Sequence, residues 1–160
     1  MNKLLSLAVA ALLVLGLAAC GNSQSQSADV DLTTYYESMA DQLDWDDNYM
    51  AEMPDDMLDT YYPGLRDIET EQFIARAPMM SAVVNEVVLL ECKSPEDAQK
   101  AADILQQRAD EQADGGAWYP DSVEAWKGAQ VAVNGNYASL LVSGDSQATL
   151  TESYNALFAS

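Results

Sequence analysis

The run from Glu86 to Cys92 places the tightest limit on how this chain can fold. Inside it Val87, Val88, Leu89 and Leu90 follow one another without the polar alternation of a strand that has one wet face. Such a run is a strand covered on both faces or nearly so, and the rest of the chain has to supply the cover. Phe73 to Ala77 alternates ahead of it and Pro78 interrupts that alternation, so these two stretches are expected to form a hairpin. Ser94-Pro95-Glu96-Asp97 then starts a helix, with Ser at the N-cap, Pro in the first turn and acids facing the helix dipole. Ala98, Ala101, Ala102, Leu105 and Ala109 continue as a small-residue stripe suited to close packing on a sheet, and Asp114-Gly115-Gly116 ends it. A short helical turn is expected from about Asp121, with Val123 and Trp126 on one side. Gln130 to Asn134 and Tyr137 to Ser143 pair across Asn134-Gly135, a strong signal for a tight hairpin turn. Gly144-Asp145-Ser146 is expected to break the chain and cap a last helix in which Leu150, Tyr154, Leu157 and Phe158 share a face. The expected fold of residues 72–160 is therefore α+β, a small, mostly antiparallel four-stranded sheet of two hairpins packed against helices.

A helical acidic segment, residues 29–71, precedes this region and is expected to form one globular unit with it. It holds fourteen acids against a single base, Arg66, a net −13. Its apolar residues are nevertheless patterned: Leu32, Tyr35, Tyr36, Met39 and Leu43 lie on one helical face that Asp31 can cap. A second short helix is expected from Pro54 to Tyr61, closed by Pro63-Gly64. Tyr35-Tyr36 and Tyr61-Tyr62 each read as one core-facing and one exposed ring.

The first residues have a different character. Met1-Asn2-Lys3 leads into the apolar run Leu4 to Ala19, which is shorter than the ~20 residues needed to span a bilayer and reads as a secretory signal. Leu17-Ala18-Ala19-Cys20-Gly21 resembles the lipobox of bacterial lipoproteins. That resemblance implies cleavage by the type II signal peptidase between Ala19 and Cys20, lipid (diacylglyceryl, palmitate-type) on the Cys20 thiol, and anchoring to the outer face of the cytoplasmic membrane. Two acyl chains hold where one binds only marginally. Residues 20–28, the lipidated Cys20 and the polar run to Ala28, would then be a flexible tether with a reach of roughly 15–17 Å.

Charge and composition exclude several functions. The chain carries 7 Lys or Arg against 26 Asp or Glu, a net charge of −19, one unit more negative without Lys3. Nucleic acid and anionic lipid headgroups are unsuitable partners for it. With Cys20 lipidated, Cys92 is the one thiol left, so an intramolecular disulfide is not expected, and Cys92 reads as a small core residue. The absence of histidine removes Ser-His and Cys-His catalysis and histidine zinc sites. No Gly-rich phosphate loop or Gly-x-Ser-x-Gly elbow is present. A pair of carboxyls for glycoside hydrolysis is all that is left, and abundance of acids alone does not point to one.

One run has metal-like spacing. Asp44, Asp46 and Asn48 place oxygens at positions 1, 3 and 5 of a calcium loop, with Glu52 at 9 and Asp55 at 12. Tyr49, however, sits where the loop needs glycine, and Asp55 is shorter than the bidentate Glu. An acidic connection between helices is the better reading, and no metal or cofactor is expected. Trp45, Trp118, Tyr119 and Trp126 beside acids fit a glycan-stacking surface or a core, and Met79-Met80 fits an adaptable contact surface or a packed strand end.

Ala77-Pro78-Met79-Met80 at the end of the first strand, Asn85-Glu86 opening the second, and Gly135-Asn136-Tyr137 in the last hairpin make the stretch from Phe73 to Phe158 resemble the domain of unknown function 4358 family. The resemblance implies an α+β domain and the lipoprotein layout typical of Gram-positive anaerobes. It supplies no catalytic residue, and it does not extend to the acidic segment before Glu71. The reading from sequence is thus a membrane-anchored, non-catalytic binding module contacting an envelope protein or wall component. A small-ligand or cation-binding module is the alternative, and an enzyme acting on wall glycans comes third.

Overall fold

A computed structural model describes residues 29–80 and 82–159. The signal segment, the cleavage position Ala19, the lipidation position Cys20 and the tether to Ala28 lie outside the described residues. The elements are α1 (Leu32–Gln42), β1 (Ala51–Glu52), α2 (Asp55–Tyr61), β2 (Thr70–Ala77), β3 (Asn85–Cys92), α3 (Pro95–Glu111), α4 (Pro120–Lys127), β4 (Gln130–Asn134), β5 (Tyr137–Ser143) and α5 (Gln147–Ala156).

The strands form one open sheet in the order β1-β2-β3-β5-β4, every neighbouring pair antiparallel. β3 lies at its centre. Its even-numbered residues Val88, Leu90 and Cys92 face a core built with Leu58, Tyr62, Leu105 and Trp126. Val87 and Leu89 face the opposite core, built with Leu32, Tyr36, Leu150 and Tyr154. Helices on both faces explain why the run Val87 to Leu90 needs no polar alternation. Both hairpins and the long helix between them stand where the sequence places them, and Gly135 supplies the positive φ of +61° that the β4–β5 turn requires.

The sheet has five strands, not the four expected. β1 is the addition, pairing Ala51 with Ala77 and Glu52 with Arg76. Two residues cannot show a period-2 pattern, and Pro54 ends the strand at once, so nothing in the local sequence marks it. Two helix starts are as expected: the Asp31 side chain accepts from Thr34 N at 3.0 Å, and Ser94 Oγ accepts from Asp97 N at 3.1 Å, whereas Ser146 precedes α5 without a side-chain cap bond. The Tyr35-Tyr36 expectation is corrected, because both rings are buried. Tyr35 packs edge-on to Tyr154 at 5.7 Å and donates to the Leu150 carbonyl, while Tyr36 lies under the Arg76 guanidinium. In the second pair Tyr62 is fully buried and Tyr61 partly so.

The acidic segment is joined to the sheet by polar contacts at the entry to α1. Gln72 of β2 donates to Val30 O and accepts from Leu32 N, both at 2.8 Å, and the Val30 N–H donates to the Tyr137 hydroxyl. These satisfy backbone groups that the start of α1 leaves open.

Candidate functional site

Between β2 and β3 the chain loops through Pro78, Met79, Met80, Val83 and Val84, and this loop faces the C-terminal end of α3 and the start of α4. Between them lies a cleft of ≈ 510 Å³. Pro78 ends β2 by removing a ladder donor, and the two methionines that follow are left half exposed, Met79 at 50% and Met80 at 57%. Across the cleft, α3 gives way to a wider turn at Gln112–Gly116 with Gly115 at φ +111°, and Trp118 emerges 94% exposed. Met57 and Tyr61 of α2 contribute to the wall between.

The interior of the cleft is polar. Glu86 stands on the face of β3 that carries Val88 and Leu90, so its carboxyl is directed into the α3 side of the sheet. Arg108 reaches it from α3, Nε donating to Glu86 Oε1 at 3.5 Å. The Tyr62 hydroxyl donates to the same oxygen. The guanidinium lies 3.9 Å from the Tyr61 ring centroid and 5.1 Å from that of Trp126, so two aromatic rings supply part of its solvation. Burial raises the Glu86 carboxyl above the usual carboxylate range, opposed by the Arg108 charge, and burial with the neighbouring carboxylate pushes Tyr62 well above an ordinary phenol.

Among the described residues the guanidinium makes this one hydrogen bond, through Nε. Its two terminal amino groups remain as donors at the cleft, in a fork that suits a carboxylate or phosphate. The arrangement can therefore hold an apolar body between Met80 and Trp118 and an acceptor near Arg108.

The family described as a domain of unknown function (DUF4358) matches residues 43–143. The chain belongs to this family. No curated protein and no solved structure matches it. The matched span differs from the expected one at both ends. It takes in the acidic stretch from Leu43 with β1 and α2, and it stops at the end of β5, short of α5. Every residue of the cleft named above thus falls within the DUF4358 match, whereas α1 and α5 fall outside it.

The residues singled out from sequence are dispersed. Trp126 is buried, Trp118 and Tyr119 are exposed beside it, and Trp45 packs on the opposite face of the sheet, so the four rings form no common stacking surface. Asp44 follows α1 at φ +53°. Asp46 Oδ1 accepts from Asn48 N at 2.9 Å and Tyr49 N at 2.8 Å, and Asp47 pairs with Arg76. Among the described residues no three acids or cysteines gather as a metal cluster. Tyr62, Glu86 and Arg108 were not legible as a group. A signal existed in part, because Glu86 shares the strand parity of Val88 and Leu90, and an acid at a core-facing position needs a partner.

Proposed function

We propose that this member of the DUF4358 family is a non-catalytic binding module, lipid-anchored at Cys20 outside the cytoplasmic membrane, that docks an envelope protein or wall component in the Met79–Trp118 cleft. One observation carries the reading. Of the seven large apolar side chains left exposed among the described residues, Met79, Met80, Val83 and Trp118 line this one cleft. Exposed apolar residues scattered singly need no explanation, but a rimmed cluster marks a contact surface. An indole that buries ~200 Å² on docking gains roughly 5 kcal/mol at ~25 cal/mol per Å², before the costs of association. Met79 and Met80 add flexible contacts that adapt to a partner's shape.

The test compares wild type with Trp118→Ala and Met80→Glu, both surface changes that leave the core intact, for retention on cell-wall and membrane-protein fractions. At least tenfold weaker retention of both variants is expected. Equal retention, with unchanged circular dichroism, would refute the cleft as the working surface. A small ligand with an apolar body and an anionic end is the second reading, favoured by the terminal amino groups of Arg108, which make no hydrogen bond among the described residues, and by a volume within the usual range for ligand sites.

A further inference from the structure

On the other side of β2 the sheet ends unfinished. β1 pairs only with Arg76 and Ala77, and the last bond of that ladder runs from Met53 N to Ala75 O at 3.0 Å. Pro54 follows, which has no N–H to continue the ladder, and the chain turns away into α2. Because N–H and C=O of one residue in an antiparallel strand point to the same side, the Ala75 carbonyl direction fixes the rest. Phe73, two residues earlier, also directs its N–H and C=O outward, away from β3, while Ile74 directs its own toward Leu89. Among the described residues no backbone partner takes the Phe73 groups.

This edge forms part of a groove of ≈ 820 Å³. Tyr36 and Ala40 of α1 form one wall, Leu58 and Leu65 the other, and Phe73, itself 37% exposed, lies between them. Around this apolar floor the lining is acidic: Glu37, Asp41, Asp46, Asp47, Glu52 and Asp55. Its two bases are already paired, Arg66 with Asp55 and Asp59, and Arg76 with Asp47.

We infer that the β2 edge at Phe73, between the register shift at Thr70–Gln72 and the Met53–Ala75 bond, accepts an extended basic segment of a partner protein as an added strand, continuing the row that β1 begins. The unpaired edge supplies backbone hydrogen bonds and the apolar floor takes alternate side chains. The acidic rim chooses the occupant. A second copy of this chain would bring acid against acid on molecules of net charge −19, and residues 4–28 of the chain itself carry no charged side chain. The same rim guards the open edge against pairing with its own kind, a protection that exposed edges need. This site is separate from the Met79–Trp118 cleft and does not depend on it.

The probe is an eight-residue peptide alternating lysine and valine, titrated into the full-length chain in non-ionic detergent, with amide hydrogen exchange followed residue by residue. Saturable binding is expected, with exchange at the Phe73 amide slowed at least tenfold. The same peptide with glutamate for lysine should fail to bind. Phe73→Pro removes the outward donor while leaving the bonds to β3 in place, and should weaken binding at least tenfold. Glu37→Lys with Asp41→Lys, both exposed on α1, should do the same and covers the case in which the proline variant does not fold. Binding without protection at Phe73, equal binding by the glutamate peptide, or undiminished binding by the Lys variant would overturn the inference. So would protection at Phe73 that rises with chain concentration in the absence of peptide, since the occupant would then be a second copy.

Discussion

Glu86 of β3 and Arg108 of α3 meet at 3.5 Å with side chains only 7% and 12% exposed, so the central strand and the long helix share, beside their apolar packing, an ion pair withdrawn from water. Desolvation of such a pair offsets much of its Coulomb gain, but removing one partner strands the other. Arg108→Ala is therefore expected to cost about 3–5 kcal/mol, the usual range for breaking a buried pair. Urea denaturation at neutral pH measures it, and a loss under about 1 kcal/mol would mean that Glu86 finds water or another partner.

The same pair sets a pH dependence. Burial raises the folded-state value of Glu86, so the native protein holds that proton more tightly than the unfolded chain does. Its stabilising contribution is full below the unfolded carboxyl range and is lost as pH rises through the raised folded value. Wild-type stability should thus increase as pH falls from neutral into the mildly acidic range. Glu86→Gln, which cannot titrate, should flatten that part of the profile. An unchanged slope in the variant would assign the effect to the surface acids instead.

Much of the fold was legible because its signals are local. The cap at Ser94-Pro95, the turn at Asn134-Gly135 and the stripe Leu32 to Leu43 each sit within a few residues of the element they specify. β1 was hidden because pairing across 24 residues, Glu52 to Arg76, leaves no mark on a two-residue strand. The cleft was hidden for the same reason on a larger scale: Tyr62 just after α2, Glu86 of β3 and Arg108 of α3 meet only once the hairpin and α3 are packed. Met79-Met80 was readable as a contact surface or a packed strand end, and only the folded surface separates these. Both side chains prove to be half exposed.

Cys92 ends β3 with no exposed surface, and burial pushes its thiol up to about 11. At pH 8 only about one molecule in a thousand would carry the reactive thiolate, before burial slows access further. Labelling by a thiol reagent should be negligible in the native state and rapid in denaturant. Fast labelling with the fold intact would reopen a redox or nucleophilic role.

Cys20→Ala should move the protein from the membrane fraction to the medium or leave it as uncut precursor. Leu17-Ala18-Ala19-Cys20 at the end of the apolar run motivates this. Mass spectrometry of the mature wild-type protein should find Cys20 at the N-terminus with its thiol acylated, and an unmodified thiol there would end the lipoprotein reading.

The acidic segment should respond to divalent cations as a diffuse cluster and not as a calcium cage. A net −13 within residues 29–71 repels over roughly a Debye length, ~8 Å at physiological ionic strength, and any counterion relieves that. Asp46 already accepts two backbone N–H groups and Asp47 holds Arg76, so gathering them around an ion would break bonds that shape the loop after α1. Tyr49 stands where a calcium loop requires glycine, and Asp55, too short for bidentate binding, pairs with Arg66. Calcium and magnesium should therefore raise the melting temperature of protein lacking the first 20 residues by similar amounts, with sodium chloride at matched ionic strength giving part of the effect. A cage would discriminate between the two ions by size and ligand number. Calorimetric titration separates the cases, because one saturable calcium site abolished by Asp44→Asn would show that the loop rearranges into a specific cation site.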